Sequence, residues 1–280
     1  MTIGSVLAFV LGAVVASFLN VVIYRVPRGE SIVSPPSHCP KCNTRIEWFR
    51  NLPIVGYLML GGRCAHCRTR ISPRYPMVEL LGAMLFLAAF WRYGYFAPLA
   101  WVWIALMIVG SFIDFDHQLL PDFVTIGGMV YGLSLAAVFD GAAHFGRWHW
   151  HNLLPGQPLF AMRMVWSAAG LAAGLAVMWF VRWAGTKAFG REAMGMGDVL
   201  LLGAMGALGG PVAVGFTLML ACVAGSVFGL VAIAAAKTRL GAYTAIPFGP
   251  WLCLAFLVWM FAGPRMVGAY LELLGCGGAI

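Results

Sequence analysis

The stretch at 199–236, VLLLGAMGALGGPVAVGFTLMLACVAGSVFGLVAIAAA, contains no charged side chain in 38 residues. A transmembrane helix needs about 20 mainly apolar residues, so this stretch is too long for one membrane span. Gly209, Gly210 and Pro211 lie inside it and predict a break in the helix. The stretch therefore predicts a short span over 199–208 and a second span after the break.

The composition of the whole chain agrees with a membrane location. Of its 280 residues, 61% are apolar and 10% are charged, whereas soluble domains average about 45–50% apolar and about 25% charged residues. This excludes a soluble domain, a disordered chain, collagen and a disulfide scaffold. The net charge of +8 would suggest nucleic acid in a soluble protein, but in a membrane protein it marks cytoplasmic loops, so we expect no nucleic-acid partner.

Six further apolar runs predict membrane helices, at 3–24, 77–91, 98–113, 123–139, 159–181 and 246–262. The predicted fold is therefore an all-α polytopic membrane protein with about eight transmembrane helices. The segment 25–76 is polar and rich in Pro, Cys and Arg. We expect a first transmembrane helix at 1–24, a cytoplasmic metal-binding domain at 25–76 and a transmembrane domain at 77–280, with no internal sequence repeat.

The basic residues predict the orientation, because cytoplasmic loops carry an excess of Lys and Arg. No basic residue precedes the run at 3–24, unlike in a cleaved signal peptide, so we interpret it as a retained span with the N-terminus outside. That arrangement places fourteen basic residues inside and four outside. The outer four are Arg92, Arg147, Arg163 and Arg265. The count predicts that 25–76 and the loops at 114–122, 182–198 and 237–245 face the cytoplasm.

Four cysteines in the polar segment have the spacing of a metal site. Cys39-Pro-Lys-Cys42 and Cys64-Ala-His-Cys67 form two C-x2-C pairs separated by 21 residues. Two such turns can supply four thiolates to one tetrahedral ion, and a small polar segment needs such a cross-link because it buries little. A reducing cytoplasm disfavours two disulfides. We predict a structural zinc site in a zinc-ribbon-like insert; redox-active or unligated thiols are the alternative.

Acidic residues near the predicted spans are the candidates for chemistry, because a charge in lipid is costly and suggests a function. Asp114, Asp116 and Asp122 follow one another near the end of the third span, and Asp198 closes the sequence Gly195-Met-Gly-Asp198. The predicted topology puts both groups at the cytoplasmic membrane boundary. Two carboxyl groups at one depth can share a proton, so that one activates a water and the other polarises a carbonyl group.

The alternative for each of these carboxylates is an interfacial cap that faces headgroups and water. This alternative is favoured for Asp122, which follows Pro121 and precedes a span in the manner of a helix N-cap. For Asp116, both interpretations stay open. Gly195 and Gly197 support the catalytic interpretation, because a backbone without side chains can approach a substrate strand and the opposing helix closely.

Several motifs in one order resemble the bacterial type IV prepilin peptidases, which are membrane aspartyl proteases of the GxGD kind. They run over nearly the whole chain: Ala16-Ser-Phe-Leu-Asn-Val-Val-Ile-Tyr-Arg-Val-Pro27, Ser37-His-Cys-Pro-Lys-Cys42, Gly62-Arg-Cys-Ala-His-Cys67, Ile71-Ser-Pro-Arg-Tyr-Pro-Met-Val-Glu-Leu80, the segment 114–122, Glu192-Ala-Met-Gly-Met-Gly-Asp198 and Ile246-Pro-Phe-Gly-Pro250.

The resemblance implies an inner-membrane enzyme that removes the leader from prepilins and type II secretion pseudopilins at the cytoplasmic face. It also implies N-methylation of the new N-terminal residue with S-adenosylmethionine as methyl donor. The register of the family, seven residues before Pro121, selects Asp114 as the first catalytic residue, and Asp198 is the second. Asp116 then becomes a supporting residue, and 77–280 becomes the protease domain. The chain departs from the family at Leu200, where relatives commonly carry Lys.

Other polar residues have plainer interpretations. Arg25, Arg28 and Arg74 lie at the inner boundary, where contact with lipid phosphate is expected; a share in methyl-donor or substrate binding is the alternative. Glu79 lies just inside the second span and needs a partner, for which Arg74 is a candidate. His144, Arg147, His149 and His151 predict an interfacial loop on the outer side, with metal binding as the alternative. The pair Gly170 and Gly174 has the GxxxG spacing of helix packing.

Two functions of other classes compete with a peptidase. A membrane scaffold could recruit a secretion partner through residues 25–76, called the cysteine segment below. A transporter could instead use its acidic residues as a proton relay. Both interpretations keep the membrane lipids as partners.

Overall fold

The computed structural model describes residues 2–138, 159–192, 194–235 and 247–274. This part of the chain is helical and contains no β-strand. Its helices are α1 (Ile3–Arg25), α2 (Val55–Met59), α3 (Arg74–Tyr93), α4 (Ala97–His117), α5 (Asp122–Val138), α6 (Leu159–Phe189), α7 (Met196–Ala235), α8 (Gly249–Phe261) and α9 (Gly263–Leu273). The predicted loop with His144, Arg147, His149 and His151 lies outside the described residues, as do Lys237, Arg239, Ile246 and Cys276.

Four helical segments are long and apolar enough to cross a membrane, and a fifth is possible if two bent helices form one span. The four are Ile3–Arg28, Arg74–His117, Ala161–Phe189 and Met196–Ala232. The fifth joins α8 and α9, which meet at an angle of 74°. Arg74–His117 is 44 residues long and contains both α3 and α4. The structure therefore confirms a helical membrane protein, whereas the count of eight spans stays a prediction.

The break inside the uncharged stretch is confirmed at Gly210. This residue has φ 78° and ψ −179° between two helical halves of α7, and Pro211 follows it. Such a positive φ is accessible to glycine without the steric cost that a Cβ atom adds. The break also brings Gly210 against the Trp166 indole, where a Cβ atom would collide.

The chain forms two compact units, Met1–Val109 and Gly110–Ile280. In the first unit, α1 packs on α3 through small residues, as is typical of helices in membranes. A Cβ atom on Gly12 would lie 2.7 Å from Phe86 Cβ, and one on Gly82 would collide with Ala16. Two polar contacts add to this interface: Asn20 Nδ2 donates to the Tyr75 carbonyl at 3.1 Å, and Trp91 Nε1 donates to Ser5 Oγ at 3.1 Å.

Arg25 differs from its expected role at the lipid boundary. Its side chain is buried and donates to the Ser31 carbonyl at 2.9 Å and to the Pro35 carbonyl at 2.7 Å. A buried guanidinium needs such acceptors, because an unpaired charge away from water is costly. The expectation of lipid contact was therefore wrong for Arg25. Its side chain instead holds the segment that follows α1 through hydrogen bonds to two carbonyl groups. Arg28 is exposed, and its guanidinium lies 4.0 Å from the centroid of the Tyr24 ring.

In the second unit, α6 packs on the first half of α7 through glycines of both helices. A Cβ atom on Gly170 would collide with the Gly206 carbonyl, and one on Gly174 would lie 2.5 Å from the Leu202 carbonyl oxygen. Ser167 Oγ donates to the Ala207 carbonyl at 2.5 Å in the same interface. The packing interpretation of the GxxxG pair is thus confirmed, and this interface places the start of α7 and its Asp198.

Candidate active site and metal centre

The four cysteines of the polar segment converge on one point. Their Sγ atoms all lie within 4.8 Å of one another, with 3.8 Å between Cys39 and Cys67 and 3.9 Å between Cys42 and Cys64. A tetrahedral zinc ion with Zn–S bonds of about 2.3 Å separates its sulfur ligands by about 3.8 Å. A disulfide would hold two of them at about 2.05 Å. The arrangement fits a tetrahedral metal ion.

The two cysteine pairs are copies of one turn, which is an internal repeat that our sequence analysis missed. The segments SHCPKCNTRI (37–46) and GRCAHCRTRI (62–71) share Cys-x-x-Cys-x-Thr-Arg-Ile. In each copy, the first cysteine donates its N–H to the threonine carbonyl, at 3.0 Å for Cys39 and 2.9 Å for Cys64. Asn43 and Arg68 take the same position, and both have φ 56°. The repeat of Thr-Arg-Ile after each pair was the available signal.

The thiols of this cluster have pKa values that are shifted in opposite directions. Hydrogen bonds with the side chain and the backbone of Thr44 lower the pKa of the Cys42 thiol to about 6, and backbone hydrogen bonds with Cys67 and His66 lower the pKa of Cys64. The backbone of Thr69 acts to lower the pKa of Cys67, but burial and the three neighbouring sulfurs outweigh it and raise that pKa to about 11. A divalent cation would remove this repulsion, since metal-bound cysteines are thiolates.

Asp114 lies in the last turns of α4 and is buried, with 6% of its surface exposed. Its Oδ2 atom accepts the N–H of Gly249 at 3.0 Å, across 135 residues of sequence. Gly249 is the first residue of α8, whose N-terminal N–H groups favour a negative charge. A Cβ atom on Gly249 would lie 2.6 Å from the same oxygen, so the contact requires glycine.

Asp198 is the second carboxylate of this region and lies in the first turn of α7, with 9% of its surface exposed. Among the described residues, its Oδ1 atom is buried without a hydrogen-bond partner. The carboxyl groups of Asp114 and Asp198 are close enough to interact electrostatically, and the buried thiol of Cys253 is within range of both. The structure thus brings together two buried carboxyl groups from α4 and α7 at the start of α8.

The glycines before Asp198 have different environments. A Cβ atom on Gly197 would lie 2.9 Å from Leu120 Cβ, in the turn that follows α4. Gly197 therefore allows the start of α7 to approach this turn, as expected for an opposing segment. Gly195 is exposed, and a Cβ atom there would meet nothing nearer than 3.9 Å, with Asp198 Oδ2 at 4.0 Å. Its packing does not require glycine.

The other candidate carboxylates are exposed. Asp116 faces outward although it is only two residues from Asp114, and Asp122 is exposed at the start of α5. Asp122 is the first residue of α5 and not the residue before it, so its carboxylate lies in the first turn, where a negative charge is favourable. Before Asp198, Arg182 of α6 holds the connecting loop by donating to the Met194 carbonyl and to the Glu192 carboxylate, each at 3.0 Å.

An apolar cleft of about 510 Å³ lies between the second half of α7 and the start of α8. The second half of α7 contributes Gly225, Ser226 and Gly229, the first turn of α8 contributes Trp251, and Phe248 comes directly before that helix. Phe248 directly precedes Gly249, so one end of the cleft adjoins the amide that Asp114 accepts.

Two family models match this chain. Residues 10–93 match the bacterial peptidase A24 N-terminal domain, and residues 101–230 match the type IV leader peptidase family. A protein of Pseudomonas putida named prepilin leader peptidase/N-methyltransferase is 34% identical, over 96% of this chain and 94% of its own length. The chain belongs to the type IV leader peptidase family.

Other relatives of this family carry similar names. The prepilin leader peptidase/N-methyltransferase of Pseudomonas aeruginosa is 33% identical over 96% of both chains. The type 4 prepilin-like proteins leader peptide-processing enzyme of Escherichia coli O78:H11 is 35% identical over 89% of this chain and 90% of the relative. No solved structure matches the chain.

The family match shows which contact was missed from the sequence. The type IV leader peptidase match at 101–230 contains Asp114 and Asp198 but ends before Gly249. Gly249 belongs to the motif Pro247-Phe-Gly-Pro250, which carried the resemblance but received no role. A glycine between two prolines at the start of a helix was the signal. Its contact with Asp114 depends on the tertiary structure.

Proposed function

We propose that this chain is a prepilin leader peptidase and N-methyltransferase. The pair of buried carboxyl groups at Asp114 and Asp198, in mutual electrostatic contact, carries the peptidase assignment. The names of the relatives support both activities. The substrates are prepilins and pseudopilins of type II secretion, whose leaders are removed and whose new N-terminal residue is methylated.

Asp114 and Asp198 share one proton in the proposed reaction. Asp114 accepts the Gly249 amide and takes the proton of the attacking water as general base. Asp198, whose Oδ1 atom has no donor among the described residues, carries the shared proton and donates a hydrogen bond to the scissile carbonyl. Gly195 and Gly197 support the dyad, because Gly197 brings Leu120 close and Gly195 leaves the Asp198 side open to a substrate strand. Exposed Asp116 is a supporting residue.

The apolar helix that follows the leader in the substrate lies along the enzyme's spans. The cleft beside Phe248 and Trp251 is open and apolar, and it adjoins the Gly249 amide. A helix held there would present the peptide bond at its end to the dyad. Such positioning lowers the activation barrier, because the loss of translational and rotational entropy occurs on binding and not in the reaction step.

We propose two cofactors, a zinc ion and S-adenosylmethionine. Cys39, Cys42, Cys64 and Cys67 would hold a structural zinc ion, which would cross-link the two turns. S-adenosylmethionine supplies the methyl group of the second reaction. We assign no residues of this chain to its binding; because the described residues contain no strand, no Rossmann-type site is built there.

The proposed location is the bacterial inner membrane, with eight spans and the N-terminus outside. The cysteine segment and the dyad then face the cytoplasm. The four to five candidate spans of the described helices support the membrane location, and the fourteen basic residues of the predicted inner loops support the orientation. A glycosylation or protease-accessibility map of residues 41 and 163 tests it, because the two positions belong to opposite sides.

The peptidase is tested by incubating membranes that contain the wild type, Asp114→Asn or Asp198→Asn with a prepilin. We expect each substitution to lower cleavage by about 10²–10⁴-fold, the usual loss when general acid–base catalysis is removed. Asp122→Asn is the matched control, because this exposed carboxylate lies near Asp114 in sequence but outside the pair. Cleavage that survives in Asp198→Asn would contradict the proposal.

The same membranes separate the competing functions. A scaffold predicts that wild type and both variants leave the prepilin intact. A proton-coupled transporter predicts that the variants lose a solute flux while no product is formed in any sample. Labelled S-adenosylmethionine added to the wild-type reaction should place label on the shortened product and not on the precursor.

A further inference from the structure

Residues 48–60, WFRNLPIVGYLML, are an apolar island inside the most basic part of the chain. Arg50 is the single charged residue among them. Six of their apolar side chains are exposed, most of all Trp48 at 80%, Leu58 at 69% and Met59 at 67%. Large exposed apolar patches on a protein mark surfaces that contact a partner protein or a membrane. We call residues 48–60 the apolar segment.

The short helix α2 in this segment has one apolar face. Val55, Leu58 and Met59 follow the i, i+3, i+4 pattern and are all exposed, so they share one side of the helix. Gly56 is buried, and a Cβ atom there would collide with the Arg50 carbonyl. Glycine therefore lets the preceding 3₁₀ turn at Trp48–Asn51 fold against α2 while the apolar face stays outside.

The orientation of α2 is held by a strained turn. Ile54 has φ 63° and ψ −52°, and the Val55 N–H bonds to the Pro53 carbonyl at 2.6 Å. A branched residue in this tight γ-turn is unfavourable by itself, and such outliers persist only where their surroundings hold them. The Glu79 carboxylate of α3 accepts the Ile54 N–H at 2.7 Å. Glu79 was expected to need a partner because it lies inside a predicted span. Its partner is the Ile54 N–H, so Glu79 holds the turn that directly precedes α2.

The surroundings of the apolar segment match an anionic lipid surface. Residues 25–76 contain nine Lys and Arg against two Glu. Both ends of this stretch continue into candidate membrane spans, Ile3–Arg28 and Arg74–His117. Basic residues near the membrane are attracted to anionic headgroups, and Trp with aliphatic side chains favours the boundary of headgroups and acyl chains. An apolar protein partner would gain nothing from this cationic surround.

We propose that residues 48–60 insert into the headgroup region of an anionic bilayer surface, and that Glu79 is the positioning residue that orients them through Ile54. The cysteine segment then lies on the membrane rather than free in solution. This proposal does not depend on the proposed peptidase activity.

The full chain, reconstituted in nanodiscs, tests the proposal. A fluorescent non-natural amino acid is placed at position 58, or at position 41 as the control, because Lys41 is exposed but lies in a cysteine turn. The nanodiscs contain phosphatidylcholine alone or with phosphatidylglycerol, plus a lipid with a nitroxide high on its acyl chain. We expect quenching at position 58 to exceed that at position 41 by about twofold or more, and the difference to grow with phosphatidylglycerol.

Equal quenching at both positions would overturn the proposal. So would a photo-crosslinker at position 58 that captures a protein and no lipid in intact cells, since it would assign the surface to a protein partner. Both readouts use the chain with its native side chains at Glu79 and Ile54.

The role of Glu79 is tested on the same label at position 58. Glu79→Leu removes the acceptor and should reduce the quenching toward the value at position 41. Glu79→Gln keeps a side-chain carbonyl for the Ile54 N–H and should preserve it. Unchanged quenching in Glu79→Leu, with zinc retained, would overturn the positioning role. If Glu79→Leu loses zinc, the test rests on Glu79→Gln instead. Loss of quenching in Glu79→Gln would contradict the role of Glu79 as the acceptor of the Ile54 N–H.

Discussion

The cysteine cluster and the carboxylate pair are built in opposite ways. Each half of the cluster comes from a ten-residue turn, with its own backbone hydrogen bond from cysteine to threonine. The carboxylate pair draws on α4, α7 and α8, and its central hydrogen bond joins residues 135 positions apart. The cluster is therefore sensitive to its ligands and local turns, whereas the pair is sensitive to how closely three helix ends approach one another.

The largest effect is expected when cysteine ligands of the predicted zinc ion are removed. Cys39→Ser with Cys64→Ser takes one thiolate from each turn, and zinc content should fall from about one ion per chain to near zero. Elemental analysis of purified protein measures it. Cys222→Ser is the control, because Cys222 lies in α7 and outside the cluster. Zinc retained in the double variant would break the comparison, and zinc lost from Asp198→Asn would show that the two regions are not independent.

The next effect tests the close approach of α8 to Asp114. Gly249→Ala places a Cβ atom 2.6 Å from Asp114 Oδ2 and must displace the carboxylate or the helix end. Since a misplacement of about 1 Å can cost about 10²-fold, we expect prepilin cleavage to fall by about 10²-fold while zinc content stays constant.

The matched control for Gly249 is Gly127→Ala in α5. A Cβ atom at Gly127 has no neighbour within 4 Å. This variant should cleave at the wild-type rate and gain up to about 1 kcal/mol of stability, because alanine favours the helix. Equal activity of Gly249→Ala and Gly127→Ala would show that the Gly249 contact is not needed for catalysis.

A smaller effect separates the two glycines before Asp198. Gly197→Ala would place a Cβ atom 2.9 Å from Leu120 Cβ and should destabilise the protein by about 1–3 kcal/mol, as overpacking does. Gly195→Ala has room and should leave the thermal midpoint unchanged, but its methyl group would stand beside Asp198 and lower cleavage. Thermal unfolding in detergent and a cleavage assay measure the two quantities. Identical thermal midpoints would contradict the packing role of Gly197.

The smallest effect tests whether the two cysteine turns are equivalent. Asn43 and Arg68 both have φ 56°, a conformation that Asn adopts more readily than other side chains. Arg68→Asn should therefore stabilise the second turn by about 1 kcal/mol, which corresponds to about a fivefold higher chelator concentration for zinc removal. Asn43→Ala should shift the same midpoint in the opposite direction. A shift of both variants in one direction would show that the turns are not equivalent.

The residues of the cysteine cluster were predictable because their geometry is local. The C-x2-C spacing forces two sulfurs onto one turn, and the structure brings both turns to one point. The repeat of Thr-Arg-Ile was visible in the sequence but was missed, although it explains why the turns form the same hydrogen bonds. The membrane class and the break at Gly210 were also predictable, since apolar composition and glycine conformation act without reference to partners.

The carboxylate pair was only partly predictable. Residues two apart on an α-helix point about 200° apart, so only one of Asp114 and Asp116 can face the interior. The pattern of residues left this choice open, and the family register selected Asp114. The structure buries Asp114 and exposes Asp116, because the packing of α4 decides which side is covered. Arg25 shows the same limit, since its acceptors lie in a loop whose path the sequence does not reveal.

The amino-acid sequence by itself determined that the protein is helical, lies in a membrane and carries four clustered thiols. These properties follow from composition and from spacing within a few residues. Tertiary structure alone decided that Gly249 donates to Asp114, that Glu79 holds Ile54 and that Val55, Leu58 and Met59 remain uncovered. Each of these depends on the approach of chain segments that are far apart in sequence, which local patterns do not encode.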